Sequence, residues 1–216
     1  MGKLIVLEGI DGSGKSTQLR LLADALTACG LTYRRVAFPG YGTDFAVPLE
    51  RYLGGALGSD PDDVNAYAAS TFFAIDRFAS FRTDWGADYA SGGAVITDRY
   101  TTSNAVHQGA KLVPGARGGF FAWLYDFEFA KIGLPKPDSV LYRRLSADEA
   151  VRRLRARALA DGSPPDIHER DAEYLARCAE TADEAAGALG WTAIGAARRV
   201  DAVHNDILAA VLEVLR

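Results

Sequence analysis

Short apolar runs alternate along this chain with longer stretches of helical period. Residues 4–7 are continuously apolar and end on Glu8, the pattern of a buried strand. A helix is expected from about Lys15 to Cys29, with Leu19, Leu22 and Leu26 on one stripe and Gly30 as its stop. Residues 33–38 form a second strand candidate, closed by Pro39-Gly40. Asp60-Pro61-Asp62-Asp63 offers an acidic N-cap, proline at the first helical position and more acid in the first turn. It predicts a helix start, and that helix would run past Phe73 and Arg77 towards Arg82. Residues 94–97, 139–142 and 191–194 complete the strand candidates, the first of these ending on Asp98. The last helix carries Val203, Ile207, Leu208, Val211, Leu212 and Leu215 on one face. Strands separated by helices predict a five-stranded parallel sheet covered on both sides, hence an α/β fold with three α/β/α layers.

Residues 158–166 hold Gly162 and Pro164-Pro165 between two helical segments, which reads as an exposed lid. The length of 216 residues suits a single domain, 1–216, with the lid at about 153–170. A hydrophobic share of 49% with 24% charged side chains excludes a disordered chain. The net charge of -4 speaks against a nucleic-acid partner, which would call for a basic stripe. Yet the 24 basic residues comprise 19 Arg and 5 Lys, and arginine is suited to holding phosphate in a fixed fork. Cys29 and Cys178 are isolated, so buried free thiols in a reducing cytosol are expected, with neither disulfide nor zinc. The N-terminal apolar run is too short for a signal peptide or a membrane span, which predicts a cytoplasmic protein with no membrane partner.

One motif changes the picture. Gly9-Ile10-Asp11-Gly12-Ser13-Gly14-Lys15-Ser16 matches G-x-x-x-x-G-K-[ST], after a strand and opening a helix. Its glycines let successive backbone N–H groups turn inward around an anion at a helix N-terminus. Lys15 would reach the β- and γ-phosphates, the Ser16 hydroxyl would complete an Mg²⁺ shell, and Thr17 continues the loop. The chain is therefore expected to bind a nucleoside triphosphate. No N-K-x-D guanine motif and no acidic pair after an apolar strand is present, which disfavours GTPases and transport ATPases. Instead Asp98 ends the third strand, where a parallel sheet presents groups to ligand, placing it towards Mg²⁺ through water. Arg99 would face the same crevice and bridge donor and acceptor phosphates.

These residues resemble the thymidylate kinase family, P-loop enzymes that phosphorylate dTMP with ATP. The resemblance is carried by Glu8 to Thr17, Phe38-Pro39, Phe73-Ala74-Ile75-Asp76-Arg77, Asp98-Arg99-Tyr100, Ser103-Asn104, Gly109-Ala110-Lys111 and Pro137-Asp138, in family order. It implies that Asp11 meets the sugar 3'-hydroxyl, that Phe73 stacks on thymine, and that Arg77 donates to the base O4. Positions 73 and 77 share a helix face, so both can reach one flat ring. It further implies that Asn104 reads the pyrimidine edge, with His107 and Gln108 following on that face and Phe38 at the acceptor site. Some relatives place a catalytic arginine in the phosphate loop and others in the lid. This loop has Gly12 and Ser13 there, so the charge is expected from Arg152, Arg153, Arg155 or Arg157, with Arg153 and Arg157 on one face and Arg170 a further candidate.

The chain departs from the family pattern at three places. Gly40 stands where many relatives have an arginine for the acceptor phosphate, a load left to Arg77, Arg99 or Thr43, or else affinity for the monophosphate is lower. Arg143-Arg144 replaces an apolar residue and an acid, so the fourth strand ends at Tyr142 or these side chains line the site. His107 stands where tyrosine is frequent. ATP and Mg²⁺ are the expected cofactors, dTMP the acceptor, and a homodimer through apolar helix surfaces at 67–81 is implied. Another P-loop nucleoside or nucleotide kinase, or a non-catalytic nucleotide-binding module, is the alternative.

Overall fold

The computed structural model describes residues 1–161 and 172–216, with the backbone alone at 157, 160 and 161. Gly162, Pro164-Pro165 and the segment 166–171 with Arg170 lie outside the described residues, as does the Arg157 side chain.

Strand β1 (Lys3–Glu8) alternates its apolar side chains between two buried faces. Leu4 and Val6 pack with Trp85, Tyr89 and Val95, while Ile5 and Leu7 pack with Leu19, Leu22, Ile207 and Val211. Both faces being covered explains why the strand reads as one apolar run. Helix α1 (Lys15–Ala28) follows, then β2 (Arg34–Ala37) and the short helix α2 (Val47–Leu53).

Asp60 does not open the long helix. It caps a 3-10 turn, Pro61–Asp63, through a capping box with Asp63, and Val64 then returns to extended backbone. Helix α3 (Ala66–Ser80) has its own cap, Asn65, whose side chain accepts from the Ala68 N–H. The acidic start signal was real but closed on itself within one turn. Past Ser80 the helical path continues through a π turn, Phe81–Trp85, into α4 (Gly86–Ala90).

Strand β3 (Ala94–Asp98) leads to α5 (Thr101–His107) and, after a 3-10 turn, α6 (Pro114–Tyr125) and a π turn at Asp126–Lys131. Strand β4 spans Ser139–Arg144, two residues beyond the expected end at Tyr142. Helix α7 (Ala147–Asp161), helix α8 (Ala172–Leu189), β5 (Thr192–Gly195) and α9 (Val200–Leu215) complete the described chain. The start of the expected lid, from 153, is thus helical through Asp161.

The sheet has five parallel strands in the order β2-β3-β1-β4-β5. The strand ends at Ala37, Asp98, Glu8 and Tyr142 fall at one edge, because Ala37 pairs with Asp98 and Glu8 with Tyr142. Ligands of open parallel sheets bind outside that edge where the strand order reverses. Of the two cysteines, Cys178 is buried as expected, but Cys29 is exposed at the C-cap of α1.

Candidate active site

The chain turns from β1 into α1 through the glycine loop at this edge. Gly9, Gly12 and Gly14 adopt φ of 155°, 78° and 83°, a region that a side chain disfavours. A Cβ on Gly12 would lie 2.6 Å from the Ala150 carbonyl oxygen, so glycine is also needed for close approach. Glu8 anchors the entry: Oε1 accepts from the Gly9 N–H at 2.8 Å, and Oε2 accepts from the hydroxyls of Thr102 (2.6 Å) and Ser103 (2.7 Å). One buried carboxylate thereby ties the loop to α5.

Lys15 donates from Nζ to the carbonyl oxygens of Gly9 and Ile10 and lies 3.9 Å from Asp11. Burial, with the positive charge of Arg99 added, brings its ammonium down to about 8. Ser16, Thr17 and Asp98 line the same cavity as Lys15. Burial raises the Asp98 carboxyl, against the pull of Arg35, Arg99 and Lys15. Ser13 is fully buried, and its Oγ has no hydrogen-bond partner among the described residues.

Arg99 has φ 107°, rare for a residue with a side chain and costly unless surroundings impose it. Thr97 holds this turn by donating its hydroxyl to the Arg99 carbonyl at 2.9 Å. The twist sends the guanidinium to Asp11 rather than to adjacent Asp98: Nη2 bonds the Asp11 carboxylate, and Nη1 lies 3.2 Å from His107 Nε2. A guanidinium has only donors, so His107 accepts there.

A second cavity opens beside this junction. The structure brings the expected acceptor residues Phe38, Phe73, Arg77, Asn104, His107 and Gln108 together in its lining, with Asp11 and Arg99. Phe73 packs edge-on against Tyr52, with ring centroids 6.1 Å apart. Gln108 is buried, and its Oε1 has no partner among the described residues. Thr43 lies in a neighbouring depression instead, so it is not brought to this cavity.

Glu128, fully buried, ties together Arg77 and Asn104 of the cavity lining, and no motif in the sequence marks it. It accepts from Arg77 Nε (2.8 Å) and Nη2 (2.5 Å), from the Thr101 hydroxyl (2.6 Å) and from Asn104 Nδ2 (3.2 Å). Asn104 Nδ2 also donates to the Ser70 carbonyl at 3.2 Å. These bonds fix the amide so that Oδ1 is its acceptor end, and they leave Arg77 Nη1 as the donor outside the Glu128 pair. A ring that presents one N–H and one carbonyl side by side fits that couple.

Gly40 has a local explanation. Its N–H donates to Asp76 at 3.0 Å, and a Cβ there would sit 2.9 Å from Asp76 Oδ1. Asp76 occupies the space through which a larger side chain would leave. Burial raises this carboxyl above its usual range.

The two arginines at the end of β4 separate. Arg144 points outward to Asp183 at 2.7 Å, whereas Arg143 is buried and lines the phosphate-loop cavity. Of the two open readings, the strand continues and one of its arginines lines the site. On α7, Arg153 lines that cavity, held by Glu149 at 2.8 Å and by the Ala196 carbonyl at 3.3 Å. Arg152 pairs with Glu149 at the surface, and Arg155 is exposed. Among the described residues no group of three or more His, Cys, Asp or Glu could hold a metal by itself.

A family model described as thymidylate kinase matches residues 7–207. The chain is 39% identical over 191 residues to the thymidylate kinase of Mycobacterium tuberculosis (strain ATCC 25618 / H37Rv), covering 87% of each chain. It is 30% identical over 208 residues to that of Homo sapiens, covering 95% of this chain and 88% of the relative. It is 34% identical over 218 residues to that of Synechococcus sp. (strain WH7803), covering 97% and 95%.

Proposed function

The chain belongs to the thymidylate kinase family, and from that premise we propose that its crevice transfers the terminal phosphoryl group of ATP to dTMP, giving ADP and dTDP. The observation that carries this reading is that Asp11 and Arg99 line both cavities. They mark the point where a donor in the glycine loop and an acceptor beside Phe73 would meet.

An oxygen of the dTMP phosphate forms the new bond to the γ-phosphorus, and the bond to the β,γ-bridging oxygen breaks, leaving on ADP. A phosphate monoester is already nucleophilic, so catalysis is positioning and charge neutralisation. Gly9, Gly12, Ser13 and Gly14 cradle the donor phosphates, and Lys15 leaves the loop carbonyls to reach the β- and γ-oxygens. Arg99 stands between the two phosphates, with Arg153 on the donor side. Arg77 Nη1 donates to thymine O4, Asn104 Oδ1 accepts from N3–H, Phe73 stacks on the ring, and Asp11 accepts from the 3'-hydroxyl. Phe38 closes the pocket, and His107 and Gln108 complete its wall.

The donor set suits Mg²⁺: the Ser16 hydroxyl and the Asp98 carboxylate are hard oxygens on one cavity wall, and phosphate oxygens and water would supply the rest. Bound there, the ion would neutralise charge on the β- and γ-oxygens. Ile75 and Phe78 are 49% and 42% exposed and line an apolar groove with Phe45 and Phe127, which supports the homodimer that the family resemblance implies. Light scattering would show a dimer, and a monomer at micromolar concentration would refute it. Among the described residues no helix is long and apolar enough to cross a membrane, and a cytoplasmic location is the reading we adopt. ADP release measured with dTMP, dUMP, dCMP, dGMP, AMP and shikimate tests the whole assignment. dTMP should be the best acceptor, and any other ranking overturns it.

A further inference from the structure

Three arginines are buried among the described residues: Arg77, Arg117 and Arg143. Arg77 is paired with Glu128, and Arg117 with Glu184 at 3.1 Å and Glu180 at 3.5 Å. Arg143 is 3% exposed, and its Nε and Nη1 have no hydrogen-bond partner among the described residues. A buried charge without compensation is expensive, so one kept beside a cavity implies an anion that enters it. Burial, with the charge of Arg153 nearby, lowers its guanidinium to about 10.

Its position identifies the anion. A Cβ on Gly9 would meet the Arg143 carbonyl oxygen at 3.0 Å, and one on Gly14 would meet Nη1 at 3.1 Å. The residue therefore runs from one end of the glycine loop to the other, along the wall whose backbone N–H groups would face the donor's α- and β-phosphates. The loop has no arginine of its own, and here a strand supplies one from beneath.

We propose that Arg143 is a phosphate-binding residue that holds the diphosphate part common to ATP and ADP. A rigid strand end fixes it, in contrast to Arg153, which stands on α7. The proposal rests on the donor reading of this cavity, and the test separates the two. Calorimetric titration of wild type and Arg143→Met with ADP, with inorganic pyrophosphate and with thymidine, with melting temperatures alongside, provides the readouts. The variant should bind ADP and pyrophosphate about 10- to 100-fold more weakly, the loss expected for hydrogen bonds to a charged group, and thymidine as wild type does. Without nucleotide it should melt at or above the wild-type temperature, since a buried charge is gone. Equal ADP affinity in both proteins would overturn the role of Arg143. Wild type that binds neither ADP nor pyrophosphate would overturn the donor reading itself. If Arg143→Met does not fold, Arg143→Gln enters the same titration under the same criteria.

Discussion

Arg77 lines the cavity beside Phe73 and Arg143 the phosphate-loop cavity, and the two hold their charge in opposite ways. Arg77 shares a buried carboxylate with Thr101 and Asn104, so the acceptor cavity is hydrogen-bonded before anything enters it. Arg143 has two nitrogens without partners among the described residues, and Lys15 is turned onto loop carbonyls. Under the proposed function the ligands explain the difference. A neutral ring is recognised by where donors and acceptors sit, so they must be fixed in advance. A polyphosphate brings its own counter-charge, so its site can leave cations uncompensated and recover the cost on binding. One half is built as geometry and the other as stored charge.

Removing charge from the donor half should break function most deeply. Lys15→Ala and Arg99→Ala should each lower kcat by on the order of 10³-fold, measured by ADP release, with thymidine binding retained in Lys15→Ala. Removing the carboxylate from the acceptor half should act on stability instead. Glu128→Ala leaves a buried guanidinium unpaired and should cost about 3–5 kcal/mol in urea unfolding. The same change at an exposed pair such as Arg20–Asp24 should cost about 0–1 kcal/mol, which sharpens the contrast.

Not all of this contrast could be read in advance. The glycine loop was legible because its chemistry is local, whereas Phe73 and Arg77 were marked by the family resemblance, and the four-residue spacing added only that they share a helix face. Glu128 was not: it lies 51 residues from Arg77 on a π turn, and nothing nearby marks it as their common acceptor. Helix α5 has no apolar stripe, since Thr101, Thr102, Ser103, Asn104 and His107 are all buried for hydrogen bonding. Arg143 could be flagged as misplaced in a buried strand, but only the packing of β4 against the loop shows where it points. Asp60 shows the converse, a complete local signal satisfied within a single turn.

The smallest predicted effect is a pH dependence at Lys111, which packs against Tyr52 behind Phe73. Lys111 donates to the Tyr52 hydroxyl at 2.9 Å and the Val64 carbonyl at 2.6 Å, and burial lowers its ammonium to about 8. Between that value and the 10.5 of an unfolded chain, the unfolded state binds more protons. Stability from this group therefore rises with pH across that window and is flat below it. Urea midpoints should show wild type gaining on Lys111→Met from pH 8 to 10 and running parallel to it from pH 6 to 7.5. Parallel behaviour throughout would remove Lys111 as the cause.

The division itself is tested most directly by titrating thymidine and ADP into wild type, Glu128→Gln and Arg143→Met under one set of conditions. The expected result is a crossed pattern. Glu128→Gln loses thymidine affinity and keeps its ADP affinity within about twofold, and Arg143→Met does the reverse, as independent sites should. If both variants weaken both ligands to the same extent, the two halves are not separately built and the account fails.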